Sequence, residues 1–147
     1  MKRLLLLTSL LVSLLAGGSA YSQVGLTYYN TGIISVNLPV RTLNGKAIAG
    51  ELKVFANRAI KDVSTELDLF YRLKAREYHR FSVGVGFKTD LFTDGGVGNT
   101  LVFPMELEVF PLQEFKRLSV VLELAPEYVF DDDVKLRSLI GLRYTFQ

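Results

Sequence analysis

A two-residue period runs through this chain from residue 23 to its end, and it separates charged side chains from aliphatic ones. Successive side chains of a β-strand point to opposite faces, so such a period marks extended chain with one apolar and one polar side. In the last stretch Val134, Leu136, Ile140, Leu142, Tyr144 and Phe146 share one face, and Lys135, Arg137 and Arg143 share the other. Clusters of Asn, Asp, Gly or Pro divide the chain into eight such segments: 23–30, 33–42, 47–57, 63–74, 81–92, 100–110, 118–130 and 134–146. Sixteen charged residues fall within them, and all lie on polar faces. With the phase of each charged strand left free, random placement would give this about once in 500 trials. No helical period intervenes, so the fold class is all-β, a barrel or a sandwich.

The first twenty residues have a different character. Lys2 and Arg3 precede an apolar run from Leu4 to Leu15, and Gly18-Ser19-Ala20 supplies small residues where a signal peptidase cuts. The run is shorter than the roughly 20 residues that span a bilayer as a helix. Residues 1–20 are therefore expected to be a cleaved export signal, and 21–147 a single domain. Cysteine is absent, which excludes disulfides, thiol catalysis and thiolate metal sites. Of the net charge of +2, both excess charges sit in the signal, and the balanced remainder gives no reason to expect nucleic acid as a partner.

Two architectures fit the alternation. A soluble calycin-like barrel or a sandwich would turn the aliphatic face inward, whereas a transmembrane barrel turns it toward lipid and lines its interior with the polar face. Three features favour the transmembrane form. The polar faces carry eight acids (Glu51, Glu66, Asp68, Asp90, Glu106, Glu108, Glu123, Glu127) and eight bases (Arg41, Lys53, Arg72, Lys74, Lys88, Lys135, Arg137, Arg143), a balance suited to a closed, salt-bridged interior. Plausible registers set Glu127 opposite Arg137, and Lys53 and Lys88 on either side of Asp68. Aromatic residues gather toward strand ends: Tyr28, Phe103, Tyr128 and Phe130 at an expected outer rim, and Tyr71, Phe81, Tyr144 and Phe146 at an inner one. Finally, the chain closes on Leu142, Tyr144 and Phe146 in alternation.

On that closing strand and on the pattern of the whole mature chain, the sequence resembles the small OmpA/OmpX-like outer-membrane barrels of Gram-negative bacteria. Gln147 departs from their pattern by placing Phe146 second from last. The resemblance implies a closed, antiparallel, eight-stranded up-and-down transmembrane barrel. It also implies that Leu142, Tyr144 and Phe146 are read by the barrel-assembly machinery, and that the partners are outer-membrane lipids, lipopolysaccharide and phospholipid. The protein is expected to be a monomer. Pro39, Pro104 and Pro126 lie inside strands, where each removes a ladder donor, and are expected at bulges or strand ends.

An eight-stranded barrel has an interior that side chains can fill. Sixteen charges with Phe55, Phe70 and Phe110 would plug it, and the loops are short, so a structural, membrane-organising or envelope-interaction role is expected. A narrow channel, a lipid A-modifying enzyme and a soluble periplasmic ligand-binding barrel are the alternatives. His79, the single histidine, falls in the expected turn 75–80, with Ser82 pointing inward, so no nucleophile pair is expected. Gly84-Val85-Gly86 reads as inward space for Phe70 or Arg72, since no helix follows to make a dinucleotide site. Asp131-Asp132-Asp133 reads as a solvated hairpin tip before it reads as a cation site, and Glu106, Glu108, Glu123 and Glu127 read as partners of inward bases before catalytic acids. No cofactor is expected.

Overall fold

The computed structural model describes residues 24–43, 46–56, 63–90, 100–112, 114–130 and 133–146, with the side chains of 39–43, 46 and 74 outside the description. The export signal, the tip residues Asp131 and Asp132, and the side chains of Arg41 and Lys74 therefore lie outside the described residues. Every regular element of the described chain is a strand: β1 Gly25–Tyr29, β2 Ile33–Leu43, β3 Lys46–Ala56, β4 Val63–Ala75, β5 His79–Asp90, β6 Thr100–Val102, β7 Met105–Val109, β8 Leu118–Val129 and β9 Val134–Thr145. All pairings are antiparallel, and β1 pairs with β9, so the sheet closes on itself. Both β6 and β7 lie between β5 and β8 in one continuous register, so together they form one strand of an eight-stranded barrel.

Proline chemistry explains the interruption. Gly84 donates its N–H to the Pro104 carbonyl at 2.8 Å and Phe103 donates to the Pro126 carbonyl at 3.0 Å. Neither proline can return the reciprocal bond. Two neighbouring ladder bonds are thus missing around Phe103–Pro104, and the regular strand stops there. Pro126 sits within β8 opposite Leu136 in unbroken register, and Pro39 pairs with Ala49 in β2, with the register shift falling just beyond it, between Val40 and Leu43. Only Pro104 therefore ends a strand. A second shift, between Arg72 and Lys74, accommodates one extra residue before the β4–β5 turn.

The stagger of the barrel can be read from its registers. Starting at Gly25, partners run through Asn37, Glu51, Asp68, Gly86, Val102 and Glu127 to Lys135. Gly25 itself pairs with Thr145, ten residues further along β9. A stagger of ten over eight strands, with about 3.3 Å per residue and 4.8 Å between strands, tilts the strands by about 40° and gives a backbone radius of about 8 Å. Each residue then climbs about 2.5 Å along the axis, so the outward residues of β8 from Leu118 to Tyr128 cover about 25 Å, the height of the apolar band of an outer-membrane barrel.

The faces segregate as their parity requires. Leu26, Ile34, Leu67, Leu69, Val85, Phe87, Leu122, Leu124, Leu136, Ile140 and Leu142 are exposed on the outside, while Glu51, Lys53 and Glu66 are wholly buried inside. At one end of the β8–β9 hairpin the rings of Tyr128 and Phe130 meet edge to face at 5.6 Å, and at the other Tyr144 contacts Phe146 and Phe115. Tyr71 and Phe81 lie half-buried toward the second rim, near the Arg72–Lys74 shift. Tyr28 departs from the expected girdle. It pairs with Leu142, two residues from the Tyr144 rim, because the five-residue β1 reaches only the lower half of β9. Phe103, at the β6–β7 break, likewise lies within the wall. The turn after β1 is tight, with Gly32 at φ 77° donating to the Tyr29 carbonyl at 3.0 Å.

Candidate functional site: the charged interior

Inward-pointing side chains from all eight strands converge on the barrel axis, and the ladder sets two pairs of carboxylates directly against each other: Glu51 opposite Asp68, and Glu106 opposite Glu123. Like charges in direct opposition destabilise a sheet unless each finds its own cation. Here each pair divides. One member turns toward the rim at the chain termini and the other away from it, which splits the interior into two clusters.

In the cluster near the termini, Arg143 is the hub. Its Nη2 donates to Glu51 Oε2 at 2.9 Å and to Glu106 Oε2 at 2.8 Å, its Nη1 to Glu106 Oε1 at 2.9 Å, and its Nε to the Thr27 hydroxyl at 2.8 Å. The fork of the guanidinium lets one residue serve two carboxylates in fixed geometry. Glu51 is further held by the Ser35 hydroxyl at 2.5 Å, the Tyr29 hydroxyl at 3.0 Å and the Asn37 amide at 3.3 Å. Glu108 accepts from the Ser119 hydroxyl at 2.6 Å and stands 3.7 Å from both Arg80 and Arg143.

In the far cluster Lys53 and Arg137 share four carboxylates, with Lys88 at its edge. Lys53 Nζ lies 3.0 Å from Glu66, 2.6 Å from Asp68 and 2.6 Å from Glu123, all without exposure to solvent. The Glu123 contact is an ion pair without hydrogen-bond geometry, since that oxygen has no directed partner. Arg137 donates to both oxygens of Glu66 at 2.6 Å, to Glu123 at 2.9 Å, and to Glu127. Lys88 stands 3.7 Å from Glu127 and over the Phe55 ring. Glycine makes the room: a Cβ at Gly86 would fall 1.7 Å from Asp68 Oδ1, and one at Gly84 3.0 Å from the Phe70 ring and 3.2 Å from Pro104. Phe70 is thus one of the neighbours expected for these glycines, while Asp68 takes the place expected for Arg72.

The registers differ from those expected by sequence. Glu127 pairs with Lys135, two residues from the expected Arg137, because the turn closes on Tyr128 and Val134. The long Arg137 side chain nevertheless spans back to Glu127. Lys53 and Lys88 flank Glu66 and not Asp68. Asp90 and Lys135 lie exposed at strand ends, and Arg72 lines the interior without an ion pair among the described residues. Arg80, expected in a turn, is an interior residue instead, because β5 begins at His79 and the alternation Arg80, Ser82, Gly84, Gly86, Lys88 extends one step further than the apolar pattern shows. Tyr29, Thr27, Ser35 and Ser119 complete the network. As neutral hydrogen-bonding residues they carry no charge by which to single them out.

His79 opens β5, where parity places it on the face opposite Ser82, so the two do not meet. Asp133 is exposed, and no group of three His, Asp or Glu side chains arranged to hold a metal ion occurs among the described residues. Leu142 and Phe146 are exposed on the outer face, with Tyr144 half-buried beside them. Comparison of the chain with family models, with curated proteins and with solved structures gives no match.

Proposed function

We propose that this chain is an integral outer-membrane barrel of the OmpA/OmpX-like kind, exported through its first twenty residues, whose role is structural or envelope-organising and not catalytic. The observation that carries this reading is the inversion of the barrel. Lys53, Glu51, Glu66 and Asp68 are sealed inside, while about twenty large apolar side chains stand roughly half-exposed outside. At 150–200 Å² for a large apolar residue, such a belt presents on the order of 1,500 Å², several times the largest apolar patch of an ordinary soluble monomer. Lipid removes that cost and water does not. The belt's height of about 25 Å, its aromatic ends and the apolar closing strand at Leu142, Tyr144 and Phe146 support the same reading. The packed interior weighs against a diffusion pore, because Phe55, Phe70, Phe110 and the two ion clusters occupy the axis.

Membrane fractionation tests the proposal together with site-specific labelling. A cysteine at Leu122→Cys should react with a membrane-embedded maleimide and resist a water-soluble one in intact envelopes. Recovery of the chain in the soluble periplasmic fraction would overturn the reading. Planar-bilayer recording of the folded protein is expected to show no sustained conductance, and lipid A should keep its mass on overexpression.

A further inference from the structure

At the end where the chain termini lie, the lumen contains a partly open chamber of about 80 Å³. It exists because inward positions there are small: Gly25, Ala49 and Ser82 leave space beneath Phe70. Two carboxylates, Glu106 and Glu108, and three guanidiniums, Arg72, Arg80 and Arg143, line it, and the pairing is uneven. Glu51 and Glu106 both bind Arg143, and Glu108 is tied to Ser119 while facing Arg80 and Arg143. Arg72 is left over. It makes no ion pair among the described residues, its Nε is sealed from solvent with no hydrogen-bond partner, and it lines the chamber together with Arg80, Glu106 and Glu108. Of the acidic side chains in the turns at this end, Glu77 is engaged by Lys116 at 3.6 Å. A half-buried guanidinium that lines a void with a second one, and has no carboxylate in ion-pair contact, is short of close counter-charge.

We propose that this chamber is an anion site in which Arg72 and Arg80 together hold a small oxyanion of the phosphate class. The planar fork of arginine matches such an ion in two-pronged fashion, and two forks from adjacent strands can grip different oxygens of one ion. Ser82, the ladder partner of Arg72, adds a hydroxyl donor at the chamber wall. A space of this size equals the share of two or three waters, which fits an ion of a few heavy atoms. Access is through the rim, where Arg80 is about one-third exposed and rests on the Phe110 ring at 4.6 Å. Because the chamber is inside the lumen, the site stands whether the outer face meets lipid or water.

The test is titration of inorganic phosphate into the folded full-length chain in non-ionic detergent, read by phosphorus NMR of the ion and by the unfolding midpoint, with sodium chloride at matched ionic strength as reference. Saturable binding with a rise in midpoint is expected in phosphate alone. Arg72→Gln should weaken it at least ten-fold and Arg72→Lys by less, while Lys116→Gln in the exposed turn leaves it within two-fold. In phosphate-free buffer Arg72→Gln should unfold at the wild-type midpoint or above it, because it removes a charge without a partner. Equal binding by Arg72→Gln, an equal response to chloride, non-saturating behaviour, or failure of Arg72→Gln to fold would each overturn the proposal.

Discussion

Replacing Lys53 by methionine keeps most of the side-chain volume and deletes the only cation that Asp68 contacts among the described residues. The consequence follows from the geometry. Glu66 and Glu123 would retain Arg137 at 2.6 and 2.9 Å, but Asp68 would retain no cation, and its Oδ1 already has no partner. The cost is therefore that of leaving one buried carboxyl without its cation, at most about 3–5 kcal/mol because the acid can take up a proton instead. Asp68→Asn alone leaves Lys53 with two carboxylates and should cost about 1–2 kcal/mol. The double variant Lys53→Met with Asp68→Asn removes both members of the pair, so it should recover about 2 kcal/mol relative to Lys53→Met, a coupling that independent sites would not show. Equilibrium urea unfolding in detergent micelles measures each corner as a change in midpoint at constant slope. A loss below about 1 kcal/mol for Lys53→Met, or a double variant no more stable than that single one, would refute the claim that the cluster is held by this cation.

Three further outcomes are expected. Gly86→Ala must push Asp68 off Lys53, since its Cβ would lie 1.7 Å from Oδ1, and should cost about 2–4 kcal/mol in urea unfolding, while Gly50→Ala, with one contact at 3.9 Å, should cost under about 1 kcal/mol. Pro126→Val restores the donor missing opposite the Phe103 carbonyl on an outward position of β8, so it should stabilise by about 1 kcal/mol and slow amide exchange across the β6–β7 break. Leu122→Arg should lower stability in phospholipid vesicles by about 2–4 kcal/mol, where a soluble barrel would tolerate a charge on its outer face within about 0.5 kcal/mol.

Much of this was legible in the sequence, for a specific reason. Side-chain direction in a strand depends on parity alone, so the sorting of Glu123 and Glu127 from Leu122 and Leu124 is written in the residue numbers before any neighbour is known. The number of wall strands and most of their boundaries follow from the same alternation. What parity cannot provide is depth. Tyr28 shares a face with the outward apolar residues, yet its height depends on where β1 meets β9, which a five-residue strand leaves to the stagger of the whole barrel. Arg80 was hidden because its stretch of alternation falls between two clusters of turn-forming residues, and Arg72 reads as one more inward base until the ladder shows that the nearby acids are taken by Arg143.

The register itself shows why the interior is charged and not merely polar. A slip of one residue between neighbouring strands would turn the aliphatic face inward, so the hydrophobic pattern forbids it. A slip of two leaves every face unchanged, and the apolar belt, being lipid-like throughout, scarcely distinguishes the two registers. The difference between Glu127 opposite Arg137 and Glu127 opposite Lys135 is a slip of this kind. The ion clusters are sensitive to it: moving β3 by two residues against β4 would set Lys53 opposite Asp68 or Ser64 in place of Glu66, and moving β4 by two against β5 would misalign the Asp68 carboxylate with the gap left by Gly86. Buried ion pairs add little net stability, but a misplaced one leaves a bare charge costing about 3–5 kcal/mol. With Lys53, Arg137 and Arg143 each tied to carboxylates from at least two other strands, the interior selects one stagger among those the belt permits. The stagger in turn fixes the tilt and the radius of the wall.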